Sequence, residues 1–484
     1  MSPVKVGGRL VAALLLIAAV AYGVMLYRHL SWVAGGADSS GYLNEARLMT
    51  EGRIGLPIDL VTTLRLGREW NYILVPLGFL ASVPNPHLMV PLYPPGLPAH
   101  FAIAATIGGW ARAPFLVPPL AGLFCLALMF VLSRQFALSR WESVAGSVIL
   151  AACPVFMFMA AQPMSDIVAT VWTLAAIVCA LASGRRPGFA AGAGAAFAIS
   201  VCVRPSNLLM AIPLAFALRW QVRHLIIAAV AALPIGIALM AWNHALFGGT
   251  ATTGYGSFSY MVAWNYPRLR LPHYSYWLAA QLTPLIFPGG LFVAFDRRLD
   301  GWRRALLLSW FLVIFVFYCF YGAYDAWWYT RFLLPGVPPL IIGFLLLLRD
   351  FRGPRLVAPI LIVAILGVEV WQVRQLNPLS VGEEESIYPE TIRWAERQLS
   401  RDAIVLNGQF SGAFLYYSGR QTVRWDQLDN DERFQLLRAY VGSANLRWYA
   451  LLSPFEWEQV QKRFKGSWTP LGEHRGVKLL RLDS

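Results

Sequence analysis

A carboxylate serves as a general base only where a substrate proton can reach it, and such carboxylates are scarce in this chain. Asp38 follows the first apolar segment, in Gly35-Gly36-Ala37-Asp38-Ser39-Ser40-Gly41-Tyr42, where a spanning helix hands over to a long loop. That juxtamembrane position puts it at headgroup depth, within reach of a hydroxyl near the interface. Before the C-terminal segment, the other acids expected on the outer side or at outer ends of spans are Glu45, Glu51, Asp59, Glu69, Asp166 and Asp325. Asp38 also has a structural use, since Asp before Ser-Ser-Gly can cap a helix over 39–51, worth about 1 kcal/mol. One side chain can do both. Asp166, opening an apolar run, reads first as a helix N-cap. Two arginines stand in apolar surroundings. Arg204, between two short runs and before Pro205, would cost ~3 kcal/mol if unpaired in a bilayer, so it must reach water, a carboxylate or a ligand. Arg331, flanked by Tyr329 and Phe332, is either a snorkelling interface anchor or a ligand-binding cation.

The elements that position these residues are membrane helices. Of the 484 residues, 57% are hydrophobic and 14% charged, and the mean hydropathy is +0.53, outside the range of soluble domains. Residues 375–484 hold 14 acids and 14 bases, so the whole excess of +14 belongs to residues 1–374, with 26 Lys and Arg against 12 Asp and Glu. Short cytoplasmic loops collect Lys and Arg, so topology explains the excess and no nucleic-acid partner is implied. Reading the clusters Arg134/Arg140, Arg185/Arg186, Arg219/Arg223, Arg297 to Arg304 and Arg349 to Arg355 as cytoplasmic gives about eleven spans. They fall at 10–27, 115–133, 142–159, 167–183, 188–203, 205–218, 225–242, 276–295, 305–321, 332–348 and 356–373. The N-terminus is then cytoplasmic and the C-terminal segment extracytoplasmic. The first run, which lacks a small-residue cleavage site, reads as a retained helix.

The expected fold is thus an all-α polytopic domain over 1–374, with a first outer loop at 28–114, followed by a small α/β extracytoplasmic domain at 375–484. In that loop, periodicity predicts an amphipathic interfacial helix over 39–51, stopped by Gly52, and a second helix over 97–110. In the C-terminal domain, strands are predicted at 403–407, 448–452 and 477–481, and helices at 389–399, 431–440 and 455–464. The five cysteines all lie in apolar runs and read as packing residues, with no disulfide framework or zinc pattern. No histidine pair has metal-ligand spacing. The aromatics Tyr255, Phe258, Tyr260, Trp264 and Tyr266, and Trp327-Trp328-Tyr329, read first as interface-belt residues.

The order of motifs resembles the GT-C glycosyltransferases. One apolar helix is followed by Asp38-Ser-Ser-Gly-Tyr-Leu-Asn-Glu45-Ala-Arg47, then Glu51-Gly52-Arg53, then Tyr93-Pro94-Pro95-Gly96. Pro163-Met-Ser-Asp166, Arg204-Pro205-Ser-Asn207 and Tyr329-Thr-Arg331-Phe-Leu-Leu-Pro335 complete the series, over about residues 10–350. The group includes protein O-mannosyltransferases and the lipid A aminoarabinose transferase.

The resemblance implies a glycosyltransferase of the cell (plasma or inner) membrane, moving a hexosyl or pentosyl group from a polyprenyl-phosphate donor to a glycan, lipid or protein acceptor with inversion. Asp38 stands at the position of the catalytic base. The leaving phosphate needs a cation, for which Arg331 and then Arg204 are the candidates, since a guanidinium binds phosphate with a bidentate fork. Glu45, Arg47, Tyr93, Asp166, Asp325 and Tyr329 are candidate substrate contacts. The chain departs from the family in two places. Asp38 lacks an adjacent second acid, and Glu45, two turns away at ~10 Å of rise, is too far to share a metal with it, so no metal or other cofactor is assigned. Tyr93 stands where the aminoarabinose enzyme has a basic residue. The rival class is a membrane transporter or lipid-linked sugar flippase, which predicts inverted repeats and broken helices with polar groups at mid-membrane; no repeat is visible in the sequence.

Overall fold

The computed structural model describes residues 3–256, 261–354 and 356–483, with side chains from Leu15 onward. Phe258 and Tyr260 of the aromatic run therefore lie outside the described residues. The chain divides into two compact units: Met1–Leu30, Phe115–Ala238 and Ser257–Val381 in the first, and Ser31–Pro114, Leu239–Gly256 and Gly382–Ser484 in the second. This differs from a division at residue 374, because the segment after the first helix shares a core with the C-terminal segment.

The first unit is helical. Among the described residues six helices are long and apolar enough to cross a bilayer, or up to eight if each of two bent pairs is one span. The eleven expected stretches all contain helix, but Gly188–Val203 and the pair Pro205–Met210 and Ala211–Ala217 are short. Among the described residues, six to eight is the number that length and composition alone support. The bends have local causes. Arg140–Ala152 meets Pro154–Ala160 at 69°, where Pro154 can neither donate a backbone N–H nor continue the preceding helix. The N–H of Val155 at this break donates to Gln281 Oε1 at 3.1 Å, and Gln281 Nε2 donates to Thr330 Oγ1 at 2.9 Å. A side chain from another helix thus satisfies a backbone group that lipid could not. The second bend, 60°, separates Pro267–Ile286 from Gly289–Phe295.

The second unit is built on two sheets. Strands β1 (Leu56–Pro57), β2 (Phe79–Ala81) and β3 (Leu88–Pro91) form an antiparallel sheet in the order β1-β3-β2. The larger sheet has the order β5-β4-β6-β8-β7, from β4 (Ala403–Asn407), β5 (Val423–Arg424), β6 (Arg447–Leu452), β7 (Trp468–His474) and β8 (Val477–Leu482). β4 runs parallel to β5 and β6, while β8 is antiparallel to β6 and β7. Alternation along the strands builds a core on each face. Ile404, Leu406, Trp448, Ala450 and Leu480 pack with Ile58, Trp70, Leu74 and Phe79 of the early segment. Val405, Tyr449, Leu451 and Leu479 pack on the other face with Tyr388, Ile392, Phe410 and Phe414.

The three predicted strands and three predicted helices of the C-terminal segment are present as β4, β6 and β8 and as Ile387–Glu396, Asp431–Ser443 and Pro454–Arg463. The helix Ser411–Ser418 and the strand β7 escape sequence reading: β7 contains Pro470 and Gly472, which interrupt strand patterns, and carries an irregularity between those residues. The helix expected at 39–51 is present as Ala37–Thr50, but it is not an interfacial helix with one wet face. Nine of its residues are buried, because it packs against Gly96–Gly108 on one side and Ser411–Ser418 on another.

Close backbone approaches in the first unit depend on glycine. A Cβ on Gly343 would stand 2.4 Å from Gly290 O, and one on Gly290 would stand 2.3 Å from Leu340 O. Gly343→Ala is therefore expected to destabilise the protein by about 1–3 kcal/mol through overpacking, visible as a lower thermal midpoint of the purified protein. An unchanged midpoint would contradict this account of the contact.

Candidate functional site

Asp38 enters the site from the first turn of the Ala37–Thr50 helix. The helix N-cap is Gly36, with no side-chain capping bond, so Asp38 does not fill the capping role that Ser-Ser-Gly suggests. Its position in the first turn keeps it in the favourable field of the helix N-terminus, and its Oδ1 accepts a hydrogen bond from Tyr93 Oη at 2.7 Å. The carboxylate is half-buried, so it is fixed yet reachable.

The sequence around Tyr93 explains how its hydroxyl gets there. β3 ends at Pro91, and Pro94-Pro95 turn the chain into Gly96–Gly108, fixing the direction of the residue between them. The ring crosses Gly41, where a Cβ would lie 2.4 Å from Tyr93 Cε2 and 3.1 Å from Gly78 Cα. Tyr42 and Tyr255 flank it with ring centroids at 4.6 and 6.2 Å. Burial first, and then the charge of Asp38, push the Tyr93 hydroxyl well above its ordinary value, so it acts as a donor.

Other predicted residues on this helix have structural partners. Arg47 Nη1 donates to Tyr416 O at 2.6 Å, with the guanidinium 3.6 Å from the Tyr416 ring centroid and 5.6 Å from that of Trp110. Asn44 Nδ2 donates to Gly412 O at 3.0 Å. Glu45 is completely buried, and neither of its oxygens has a hydrogen-bond partner among the described residues. It sits two turns from Asp38 on the same helix, away from solvent.

In the first unit, the structure brings Asp166, Arg204, Tyr329 and Arg331 into one cluster. Asp166 ion-pairs with Arg204; it does not cap its helix, Ser165–Ala182, whose N-cap is Met164. The ion pair answers the charge cost that the sequence raises for Arg204, because both groups are nearly buried and each neutralises the other. Phe332 lies between the two arginines, with Arg204 4.9 Å and Arg331 5.2 Å from its ring centroid. Arg331 also stands 5.5 Å from the Tyr329 ring centroid and 4.0 Å from Met164 Sδ. Tyr318 stacks on Phe332 at 5.0 Å and shares a 2.6 Å hydrogen bond with Ser206. The cluster is a pair of guanidiniums on one aromatic platform. Asp325 is not part of it, being paired with Arg270 at 2.6 Å and otherwise exposed.

Sequence reasoning misses three acids or anchors. Glu385 Oε2 accepts the Gly36 N–H at 3.0 Å, and nothing in a Glu-Glu-Glu run marks one member for such a contact. Glu369 lies inside Val357–Leu376, fully buried with neither oxygen partnered among the described residues; the signal was a lone acid within an apolar span. Arg270 pairs across 55 residues, beyond any local pattern. Among the described residues no group of three His, Cys, Asp or Glu side chains is placed to hold a metal ion.

The fold is shared with solved polyprenyl-phosphate-binding enzymes. The structure of ArnT from Cupriavidus metallidurans in the apo state matches with a TM-score of 0.64 at 12% identity, covering 98% of each chain. The same protein bound to undecaprenyl phosphate matches with a TM-score of 0.61 at 12% identity, over 96% of this chain and 97% of that one. AglB, the oligosaccharyltransferase of Archaeoglobus fulgidus in complex with an inhibitory peptide and a dolichol-phosphate, matches with a TM-score of 0.53 at 11% identity, over 90% of this chain and 69% of that one. The chain thus shares the fold of ArnT and AglB. No protein-family model and no curated protein sequence matches the chain.

Burial pushes the Glu45 carboxyl well above the usual glutamate range, so the folded protein holds this proton more tightly than the unfolded chain. The resulting stability is full below the ordinary glutamate value and is lost as pH rises through the raised one. Thermal midpoints are expected to fall over that window for the wild type and to fall less for Glu45→Gln. Equal slopes for the two proteins would rule out a buried neutral Glu45.

Proposed function

We propose that the chain is a membrane glycosyltransferase that moves a sugar from a polyprenyl-phosphate donor to an extracytoplasmic acceptor, with inversion at the anomeric carbon. The observation that carries the reading is Asp38: a half-exposed carboxylate at a helix start, oriented by the Tyr93 hydroxyl. The near full-length fold match to ArnT bound to undecaprenyl phosphate supports the donor class, and the AglB complex with a dolichol-phosphate supports it independently.

In this mechanism the acceptor oxygen attacks the anomeric carbon as the bond from that carbon to the phosphate oxygen breaks. Asp38 takes the acceptor's proton. Tyr93 holds the carboxylate oxygen and keeps its own proton. The polyprenyl phosphate leaves with its charge, which Arg331, and after it Arg204, would neutralise. Arg331, which lies against the Tyr329 and Phe332 rings, is the first choice, and Arg204, ion-paired with Asp166, the second.

The topology that goes with this chemistry has eleven spans, the N-terminus in the cytoplasm and the C-terminal segment outside, in the plasma or inner membrane. The transferred group is a hexosyl or pentosyl unit. One observation favours a second reading, transport or flipping of a lipid-linked sugar: the two bent helix pairs, with Gln281 bonded at one break, are the interrupted spans that transporters use.

With purified protein and a polyprenyl-phosphate sugar, Asp38→Asn is expected to lower transfer by roughly 10²- to 10⁴-fold while leaving the fold unchanged. Full transfer by a folded Asp38→Asn enzyme would remove Asp38 as the base. Arg331→Gln is expected to raise KM for the donor and lower kcat together; an unchanged donor dependence would assign Arg331 to packing only.

A further inference from the structure

Asp38 has no acidic neighbour in sequence, yet the fold supplies one. The helix Val381–Glu385 ends in Glu385, whose Oε2 accepts the Gly36 N–H at 3.0 Å, two residues before Asp38. The fit is close: a Cβ on Gly35 would overlap this carboxylate, at 1.4 Å from Oε2. Only a glycine turn lets the carboxylate reach the backbone here. The surroundings hold Glu385 in place. Tyr388, one turn on, has its hydroxyl 3.3 Å from where a Gly36 Cβ would stand and accepts from Gln409 Nε2 at 3.1 Å. Gln409 N in turn donates to Glu456 Oε1 at 2.8 Å. Nearby, Tyr417 Oη accepts the Ala34 N–H at 2.8 Å. The turn that starts the Asp38 helix is therefore clasped by side chains from residues 385–417.

We propose that Glu385 is a positioning residue for Asp38: its carboxylate fixes the Gly35-Gly36 turn from which Asp38 accepts the acceptor's proton. The inference rests on the reading of Asp38 as the base. The charged and titratable groups facing Glu385 are Asp38 from the Ala37–Thr50 helix, Glu384 beside it, and Tyr388 from the next helix. No Lys or Arg is among them in the described residues; Arg475 donates instead to Ser386 Oγ and Glu383 O on either side. Burial, then Glu384 and Asp38, raise the Glu385 carboxyl above the usual glutamate range, partly offset by the Gly36 N–H. As pH passes through that raised value, Glu385 gains a negative charge beside Asp38. The ionised carboxylate accepts the Gly36 N–H as a charge-assisted hydrogen bond, which holds the turn more firmly than the neutral acid does.

The test uses the full-length enzyme and two substitutions. Glu385→Gln keeps an oxygen that can accept the Gly36 N–H but cannot ionise; Glu385→Ala removes both. In the wild type, kcat for transfer is expected to rise through an inflection above the ordinary glutamate range. In Glu385→Gln that inflection is expected to be absent and the alkaline plateau about threefold lower, with KM for the donor unchanged. Glu385→Ala is expected to lower kcat further at every pH, by about tenfold. A Glu385→Gln profile superimposable on the wild type overturns the proposal. Asp38→Asn in the same assay separates the two claims: if it is inactive while the Glu385→Gln profile is unchanged, only the role of Glu385 falls, and if it is fully active the base itself falls.

Discussion

A carboxylate on a flexible loop near a membrane would sample many directions, and the hydrogen bond from Tyr93 to Asp38 removes that freedom. Several otherwise odd sequence choices serve this one contact. Gly41 leaves room for the Tyr93 ring, and Gly78 lies against Gly41 with Cα 2.7 Å from where its own Cβ would be. Pro94 and Pro95 hold the direction of the chain just after the tyrosine. Gly35 and Gly36 allow Glu385 to take the backbone N–H that the helix start would otherwise leave to solvent. A larger residue at any of these glycines would move the base.

The membrane helices obey a different constraint. Lipid offers backbone groups no partners, so each helix break must be closed by protein. Gln281 does this at Val155. Arg204 and Asp166 solve the matching problem for charge, and the Phe332 ring between Arg204 and Arg331 gives both cations an apolar face to lie on. Glu369 is the unexplained member of the helical unit: a buried acid whose oxygens have no partner among the described residues.

Much of this was legible in the sequence, where a pattern is local. Alternating apolar residues marked β4, β6 and β8, and the helix after Gly36 showed in the spacing of Leu43, Ala46 and Met49. The ordered motifs marked Asp38, Asp166, Arg204 and Arg331 as residues to watch. What the sequence hid is contact at long range. Glu45 and Glu385 look alike as exposed acids, yet the first is buried without a partner and the second clasps a glycine turn. The interfacial reading of residues 39–51 failed for the same reason: amphipathicity shows that one face is apolar, and it does not reveal that the polar face will be covered by Ser411–Ser418. Short apolar runs such as 188–203 and 205–218 fit a hydropathy pattern although their helices are short for a span, and among the described residues length and composition alone support six to eight crossings.

The most direct test of the central claim is to inactivate the protein in its native cell and compare lipid-linked sugars and envelope glycans by mass spectrometry. The account predicts that one polyprenyl-phosphate sugar accumulates while a glycan carrying that sugar disappears. An unchanged pool of that lipid, displaced only from one membrane face to the other, would contradict transfer and establish flipping in its place.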